Sequence, residues 1–354
     1  MVSIQSGKKR VGIFCGGRSG EHEVSLLSAY SIFNNIDREK FEPVLIGVDK
    51  AGRFRVGENL ILNGTDSRKV CLNPESSELS LNIGGLSELI DIAFPIIHGT
   101  FGEDGCIQGF FQIMNIPFTG PDVYSSAACM NKVSTKRILQ SAGIPICGFL
   151  EAINGVSVPS YGTAKKELGD IMFVKPSNLG SSVGISRCLD ETSYKEALDL
   201  AFQFDDSVII EENYPGREIE FAVMGNYDVL VSPPGEVIPE NAFYSYKEKY
   251  DQDSKTQLKV PTELDKELLD KLTECARKTY AVMQCNGLAR IDFMLRSDGE
   301  FMVNELNTLP GFTKISMFPA LFQAQGYTYP DIITKIVQFG FERYERAQHL
   351  RRSL

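Results

Sequence analysis

Carboxylate and amide side chains recur at two-residue spacing in two short segments late in the chain. Arg290 and Asp292 lie in the first segment, and Glu305 and Asn307 lie in the second. Because side chains alternate between the faces of a β-strand, each pair shares one face, and Asp292, Glu305 and Asn307 could bring their oxygens together. Such oxygens suit magnesium, which is bound by few carboxylates together with water and nucleotide phosphates. The same pattern also fits a salt-bridged sheet face on which Arg290 pairs with its neighbours.

A glycine after these segments favours the catalytic interpretation. Gly311 stands in the sequence PGFT at 310–313. A residue without a side chain lets the backbone approach a ligand closely and offer its N–H to a developing oxyanion. We therefore expect a reaction centre beside the proposed metal ligands.

A second candidate is the polar loop at 175–184, which reads KPSNLGSSVG. Its small residues, backbone N–H groups and hydroxyls suit phosphate binding. It is not a P-loop, because GxxxxGK[ST] is absent. Lys132 and Lys175 are the candidate phosphate-binding cations. An ordinary surface loop with solvated lysines would have the same composition.

Two further segments carry weaker signals. GGRSGE at 16–21 follows one apolar run, and His98 follows another. In parallel α/β folds, ligands bind beyond the carboxyl ends of the strands, so both positions are candidates. Glycine turns also serve packing, Glu21 could act only as a partner of the helix dipole, and His98 could be a hydrogen-bonded core residue.

The elements that must position these residues alternate between strands and helices in the first part of the chain. Apolar runs predict strands at 11–15, 43–48 and 91–97, and apolar residues at helical spacing from Val24 to Ile36 predict a helix. This alternation predicts a mostly parallel sheet.

The later part predicts more strands and longer helices. Residues 240–258 are polar and aperiodic, which is typical of a long functional loop. An Asp-Gly turn at 298–299 predicts a hairpin. The predicted helices are 127–141, 264–283 and 329–345, and the predicted strands are 170–175, 208–212, 218–224, 287–295 and 300–306.

Length and composition limit the possible classes. A chain of 354 residues predicts two or three domains. Its net charge of −10 does not predict a nucleic-acid surface, and no apolar run approaches the ~20 residues of a membrane span. The N-terminus has no apolar signal region, and the scattered 8 cysteines and 3 histidines predict reduced thiols without a zinc site. These features predict a cytoplasmic protein.

Four motifs taken together resemble those of the D-alanine–D-alanine ligases, which belong to the ATP-grasp superfamily. They are GGRSGEHEVS at 16–25, HGTFGEDG at 98–105, KPSNLGSSVG at 175–184 and NTLPGFT at 307–313. The resemblance extends from about Val11 to Glu345 and is specific because the four motifs occur in order. It implies an α/β ATP-grasp fold with an N-terminal parallel α/β substrate domain (1–122) and two α+β subdomains (123–212 and 213–354) that enclose ATP.

The resemblance assigns several of these residues to the nucleotide and its metal. Lys132 and Lys175 would contact the phosphates, Glu211 would hold the exocyclic amine of adenine, and Glu218 would lie at the ribose. The implied ATP-binding residues are Lys132, Lys175, Glu211, Glu212, Asn213, Tyr214 and Glu218. The implied ligands of two magnesium or manganese ions are Asp292, Glu305 and Asn307.

The resemblance also implies the reaction. The carboxylate of one D-alanine attacks the γ-phosphate of ATP, and the amine of a second D-alanine attacks the resulting acyl phosphate. Glu21 would bind the first ammonium group, while Arg290 and Gly311 would form the oxyanion site. The implied catalytic residues are Glu21, Ser181, Lys249, Tyr250, Arg290 and Gly311, and the implied substrate-binding residues are His98, Ser316 and Met317.

The predicted loop at 240–258 matches the mobile ω-loop of this family. Lys249 would reach the transferring phosphate, and Tyr250 would join Ser181 and Glu21 in a hydrogen-bonded bridge. In the family that the chain resembles, ligases that make the D-alanyl-D-lactate ester lack this tyrosine. The resemblance therefore implies an amide product. A packed loop aromatic is the alternative.

The resemblance implies a homodimeric enzyme of peptidoglycan precursor synthesis, with no nucleic-acid or membrane partner. Within the family, the alternative is a ligase that takes D-serine or D-lactate as its second substrate. A dehydrogenase would also begin with a strand, a glycine turn and a helix, but GxGxxG is absent. A non-catalytic nucleotide-binding regulator would be expected to have lost Arg290 or a metal carboxylate, and both are retained.

Overall fold

The chain begins with a strand, a helix and a second strand, as expected, but six more strands follow before the next helix of the described residues. The computed structural model describes residues 7–57, 68–69, 71–72, 79–83, 86–181, 183–239, 256–313 and 315–351. The strands are β1 (Lys9–Gly16), β2 (Phe41–Val48), β3 (Phe54–Val56), β4 (Arg68–Lys69), β5 (Cys71–Leu72), β6 (Leu79–Ile83), β7 (Leu86–Ile90), β8 (Ile92–Pro95), β9 (Phe149–Ile153), β10 (Met172–Pro176), β11 (Ser186–Cys188), β12 (Ser207–Glu212), β13 (Arg217–Gly225), β14 (Leu230–Val231), β15 (Gly235–Ile238), β16 (Gln257–Lys259), β17 (Gly287–Leu295) and β18 (Phe301–Asn307). The helices are α1 (His22–Asn35), α2 (Cys106–Ile113), α3 (Val123–Met130), α4 (Lys132–Ser141), α5 (Tyr161–Leu168), α6 (Glu191–Ala201), α7 (Lys266–Val282), α8 (Met317–Ala324) and α9 (Tyr329–Gln348).

The first sheet is built around three parallel strands. Its order is β4-β3-β2-β1-β8, and β1 runs parallel to both β2 and β8. From Val11 to Gly16 every residue of β1 is buried, because the strand is covered on both faces. The three strands predicted in this region are confirmed, although β8 is shorter than the predicted 91–97.

A small antiparallel sheet is formed by β5, β6 and β7, and two larger antiparallel sheets follow. The first has the order β11-β10-β12-β9, and the second has the order β16-β15-β13-β17-β18, with β14 paired to β13. The predicted hairpin is present: Arg296 and Glu300 close the β17–β18 connection through a 2.8 Å backbone hydrogen bond. Gly299 adopts φ 88°, a left-handed conformation that favours glycine at this turn.

The helix predicted at 127–141 is wrong, because the segment forms two helices. α3 ends at Met130, and Asn131 has an extended backbone (φ −83°, ψ 104°). The Asn131 side chain accepts a 2.8 Å hydrogen bond from the backbone N–H of Ser134 and so caps α4. Apolar periodicity alone does not detect this break, since only one residue separates the two helices.

Only the last three residues of the loop predicted at 240–258 belong to the described part of the chain. Residues 240–255, with Lys249 and Tyr250, lie outside the described residues. The end of the predicted loop is wrong, because Gln257 and Leu258 belong to β16, which pairs with β15. The polar character of this segment hid the strand, since β16 is an exposed edge strand.

The last long helix packs against the first sheet. α9 begins at Tyr329 and buries Ile332, Ile333 and Ile336 in the same core as β1 and β8. None of the helices in the described part of the chain is long and apolar enough to cross a membrane.

Helix α9 lies very close to its neighbours at Gly340. An added Cβ there would lie 2.8 Å from Ile92 Cδ1 and 2.9 Å from the Phe118 carbonyl oxygen.

Gly340→Ala is therefore expected to lower the free energy of unfolding by about 1–3 kcal/mol, because the new methyl group overpacks the contact between α9 and β8. Gly162→Ala is the matched control, because a Cβ at this helical glycine would meet nothing nearer than 3.9 Å. The control should raise stability by up to about 1 kcal/mol through helix propensity. Urea denaturation of both variants measures the difference, and equal shifts would contradict the close packing described for Gly340.

Candidate active site

The hairpin β17–β18 brings the predicted carboxylate face together. Arg290 pairs with Asn307 and Asp292 with Glu305 in the strand register. The guanidinium of Arg290 donates two 2.7 Å hydrogen bonds to the two carboxylate oxygens of Asp292. Asn307 Nδ2 donates to Asp292 at 2.9 Å and to Glu305 at 3.5 Å. The four side chains therefore form one connected polar group.

Strand β13 adds a carboxylate that sequence reasoning missed. Glu220 lies opposite Asp292 in the register, and its Oε2 is 3.0 Å from Arg290 Nε. Oxygens of Glu218, Glu220 and Asp292 lie within 4.8 Å of one another. The sequence carries a signal for Glu220: it follows Glu218 by two residues, so both side chains lie on the same face of a strand.

Buried charges of both signs hold this group together. Burial alone would lower the pKa of Arg290, but Asp292 and Glu220 outweigh burial and raise the pKa well above its usual value. Asp292 is fully buried. Carboxylates with an amide oxygen are ligands that magnesium accepts, so the donor set of Asp292, Glu305 and Asn307 fits the predicted metal.

A buried carboxylate lies between two lysines at the back of a neighbouring pocket. Glu211 Oε1 is 3.0 Å from Lys136 Nζ, and Glu211 Oε2 is 2.5 Å from Lys175 Nζ. Burial would raise the pKa of Glu211, but the two ammonium groups outweigh burial and hold that pKa well below its usual range. The pocket is lined by Cys129, Lys132, Thr135, Lys136, Lys175, Glu211, Asn304, Glu305 and Leu306.

Lys132 lies at the mouth of the predicted phosphate loop. It is the first residue of α4, its N–H donates to the Ser177 carbonyl at 2.9 Å, and its Nζ donates to the Leu179 carbonyl. Burial lowers the pKa of Lys132, and the negative charges of Glu305 and Glu211 offset only part of this effect. The loop itself is anchored by Asn178, whose N–H donates to Asp205 at 2.7 Å. Lys132 therefore connects the lining of the pocket to the predicted phosphate loop.

The predicted adenine edge continues from Glu211 at the end of β12. Glu212 accepts a 3.0 Å hydrogen bond from the Gly148 N–H, and the N–H of Asn213 donates to the Ile171 carbonyl at 3.1 Å. The ring of Tyr214 lies 3.8 Å from the guanidinium carbon of Arg296. Of this predicted edge, Glu211 belongs to the pocket lining given above, whereas these three residues do not.

Glu21 and Ser181 meet although they are 160 residues apart. Ser181 Oγ donates a hydrogen bond to Glu21 Oε1, and Ser181 has φ 53°, in the left-handed region. The other carboxylate oxygen lies against glycines: an added Cβ would be 2.6 Å from it at Gly99 and 3.2 Å at Gly180. Side chains at either glycine would therefore crowd the Glu21 carboxylate.

His98 is buried in a hydrogen-bonded chain. Its Nε2 is 2.9 Å from Ser28 Oγ, which also accepts a 3.3 Å hydrogen bond from the Phe312 N–H. Its Nδ1 is 3.4 Å from Glu103. Burial lowers the pKa of His98, but the hydrogen bond and charge of Glu103 outweigh burial and raise that pKa. The histidine thus connects the second and fourth motifs.

The fourth motif ends at a helix start. Ser316 precedes α8, and its Oγ accepts a 2.9 Å hydrogen bond from the Thr313 N–H. An added Cβ at Gly311 would lie 2.8 Å from this Oγ, so the glycine keeps the two segments close. Met317 begins α8 with a buried side chain in the same core as Phe318. A contribution of Met317 to substrate binding would therefore come from its backbone.

The pocket lies between the two antiparallel sheets, because Lys175 and Glu211 come from β10 and β12 while Glu305 comes from β18. This fold and this site define the class of ATP-grasp enzymes. Family models described as the N-terminus and the C-terminus of D-ala D-ala ligase match residues 10–121 and 138–338. The chain belongs to the D-alanine–D-alanine ligase family.

Individual relatives agree with this assignment. The chain is 42% identical to D-alanine--D-alanine ligase A of Salmonella typhimurium, over 98% of this chain and 100% of the relative. The solved D-alanine-D-alanine ligase from Coxiella burnetii superposes with a TM-score of 0.87, at 30% identity and 96% coverage of both chains. The VanG D-Ala:D-Ser ligase from Enterococcus faecalis superposes with a TM-score of 0.83, at 29% identity, over 94% of this chain and 100% of that one.

Glu211→Gln is expected to lower the free energy of unfolding by about 3–5 kcal/mol at pH 7, because it leaves Lys136 and Lys175 buried without a counter-charge. The folded pKa of Glu211 is depressed, so its contribution exists above the unfolded pKa of about 4.3 and is lost as pH falls below it. The deficit of the variant should therefore shrink below about pH 4.

Urea denaturation from pH 3 to pH 8 measures this deficit. Glu191→Gln is the matched control, because Glu191 forms an exposed 2.7 Å pair with Lys195. The control should change stability by less than about 0.5 kcal/mol. A deficit in Glu211→Gln that stays constant with pH would show that the charge of Glu211 is not its cause.

Proposed function

We propose that this protein joins two D-alanine molecules to D-alanyl-D-alanine at the expense of ATP, for peptidoglycan precursor synthesis. A carboxylate oxygen of the first D-alanine attacks the γ-phosphorus, and ADP leaves with the electrons of the broken P–O bond. The amine of the second D-alanine attacks the acyl phosphate carbon, loses a proton, and inorganic phosphate leaves. The observation that carries the proposal is the hydrogen bond from Ser181 to Glu21, which joins the third motif to the first.

Side chains around the acyl group would orient the substrates. Glu21 is the proposed partner of the first ammonium group, with His98 nearby and Ser316 at the carboxylate of the second D-alanine. Arg290 and the Gly311 N–H would stabilise the oxyanion of the tetrahedral intermediate. The contact of Gly311 with Ser316 supports this arrangement, since it keeps the proposed oxyanion donor near the acceptor side.

The pocket between the sheets is the proposed ATP site. Lys132 and Lys175 would contact the phosphates, Glu211 the exocyclic amine of adenine, and Glu218 the ribose. Glu212, Asn213 and Tyr214 would complete the adenine edge. Asp292, Glu305 and Asn307 would hold magnesium or manganese, proposed as two ions. Bound there, the metal would neutralise phosphate charge.

The organisation of the whole protein is also a proposal. We propose three parts, at 1–122, 123–212 and 213–354, because two sheets form within the first range and one within each of the other two. We further propose a homodimer in the cytoplasm. Gel filtration with light scattering tests the oligomeric state, and a monomer at micromolar concentration would reject the dimer.

Substrate specificity is tested by ADP release with D-alanine, D-serine and D-lactate as acceptors, and by identification of each product. We expect ADP release to require D-alanine and to give the D-alanyl-D-alanine dipeptide. The structural likeness to a D-Ala:D-Ser ligase makes D-serine the second candidate acceptor. A mixed D-alanyl-D-serine product formed in preference to the dipeptide would favour that candidate.

Glu305→Gln is expected to reduce turnover at least tenfold while the protein remains folded, because one metal-binding carboxylate becomes neutral. Raising the magnesium concentration should recover part of the activity if the role is metal binding. Glu300→Gln is the control, because Glu300 is an exposed residue of the adjacent turn. Normal turnover by Glu305→Gln at low magnesium would reject the metal assignment.

Tyr250→Phe is expected to gain measurable D-lactate use at mildly acid pH, where less of the competing amine is neutral. The variant keeps a similar ring but loses the hydroxyl proposed to bond Ser181, at a cost of about 1–3 kcal/mol. A product assay with both acceptors at two pH values measures the amide-to-ester ratio. Tyr246→Phe in the same segment is the control. An unchanged ratio in Tyr250→Phe would leave Tyr250 as a packing residue.

A further inference from the structure

We propose that Lys136 is a positioning residue for nucleotide recognition: it is the permanent counter-ion of Glu211, and it releases Lys175 from that carboxylate to the phosphates of ATP. The inference rests on two parts of the proposed function: that Glu211 binds the exocyclic amine of adenine, and that Lys175 binds phosphate. Nothing in the sequence motifs singles out Lys136.

Lys136 is held from the side of the pocket that is closed to solvent. Its side chain is 2% exposed, whereas that of Lys175 is 18% exposed. Beyond its 3.0 Å contact with Glu211, its Nζ lies 3.2 Å from Cys147 Sγ and 3.5 Å from the Val303 carbonyl oxygen. These contacts fix the ammonium group beside Glu211 from several directions.

Helix geometry places Lys136 and Lys132 on the same face of α4. Residues four apart are neighbours on a helix surface, and both lysines line the same pocket. Lys132 at the start of the helix reaches the phosphate loop, while Lys136, one turn on, reaches Glu211. The helix therefore supplies one cation to each end of the nucleotide site.

Charge balance explains why two lysines contact one carboxylate. A single lysine on Glu211 would have to stay there, because a buried carboxylate without a counter-charge is strongly destabilising. With Lys136 fixed on Oε1, Lys175 can exchange Oε2 for a phosphate oxygen and Glu211 remains ionised. The vacated Oε2 can then accept the exocyclic N–H of adenine.

This exchange predicts a base preference that depends on Lys136. ITP carries a carbonyl oxygen where ATP carries the amine, so an ionised Glu211 attracts ATP and repels ITP. In Lys136→Met, Glu211 must either retain Lys175 or become protonated, and in both cases its discrimination falls. We expect the affinity for ATP to fall about tenfold or more and the ATP-to-ITP affinity ratio to fall with it.

The test is calorimetric binding of ATP and ITP to the full chain and to Lys136→Met, Glu211→Gln and the double variant. Lys136→Met should have no further effect on the ATP-to-ITP ratio when Glu211 is already glutamine. Arg343→Met is the control, since this partly buried cation contacts the Phe118 ring and the carbonyls of Phe118 and Gly120 rather than a carboxylate. It should alter stability but leave the ratio unchanged.

A ratio in Lys136→Met within twofold of the parent chain would overturn the inference and leave Lys136 as a core residue. If Lys136→Met does not fold, the inference is tested by comparing Glu211→Gln with the double variant, which lacks both charges of the buried pair. A change of the ratio between Glu211→Gln and the double variant would show that Lys136 acts elsewhere. Binding is measured without D-alanine, so a protein that binds ATP selectively but forms no dipeptide would reject the ligase proposal alone.

Discussion

Compensation of buried charge is the constraint on which this site depends. Moving an ion out of water costs several kcal/mol even in a relaxed protein, so each buried charge needs a close partner. Glu211 has two lysines, and Arg290 has Asp292 and Glu220. Asp292 lies on the same strand as Arg290, but Glu220 comes from β13, and the two lysines of Glu211 come from α4 and β10. The pairing of opposite charges therefore favours the arrangement in which these elements come together.

Ligand binding must then exchange partners rather than create new ones. Lys175 already contacts Glu211, and Lys132 already contacts the Leu179 carbonyl. A phosphate can attract these lysines only by offering more charge than the protein groups that hold them. Each of these lysines therefore has a protein partner in the structure, and a phosphate at the proposed ATP site would have to replace that contact. The same consideration applies to Arg290, whose bidentate contact with Asp292 fixes its orientation.

Local patterns predicted those parts of the fold and site that depend on neighbours in sequence. Period-two alternation placed Arg290 with Asp292 and Glu305 with Asn307, and the Asp-Gly turn predicted that the two strands form a hairpin. Glu220 and Lys136 were missed, because their partners are supplied by other elements and no local spacing reveals them. The break at Asn131 was missed for the opposite reason: a single capping residue interrupts a pattern that is otherwise helical on both sides.

A β-bulge joins the proposed metal-binding face to the buried lysine network. The register shifts between Asp292 and Phe293, so that Phe293 lies opposite Val303 and Asn304 is the extra residue. Val303 thereby enters the core, fully buried, while Asn304 stays at the pocket. Val303 also accepts Lys136 at its carbonyl and donates its N–H to the Pro145 carbonyl at 2.8 Å. One irregular residue thus lets the same strand present Glu305 to the proposed metal and a backbone oxygen to the counter-ion of Glu211.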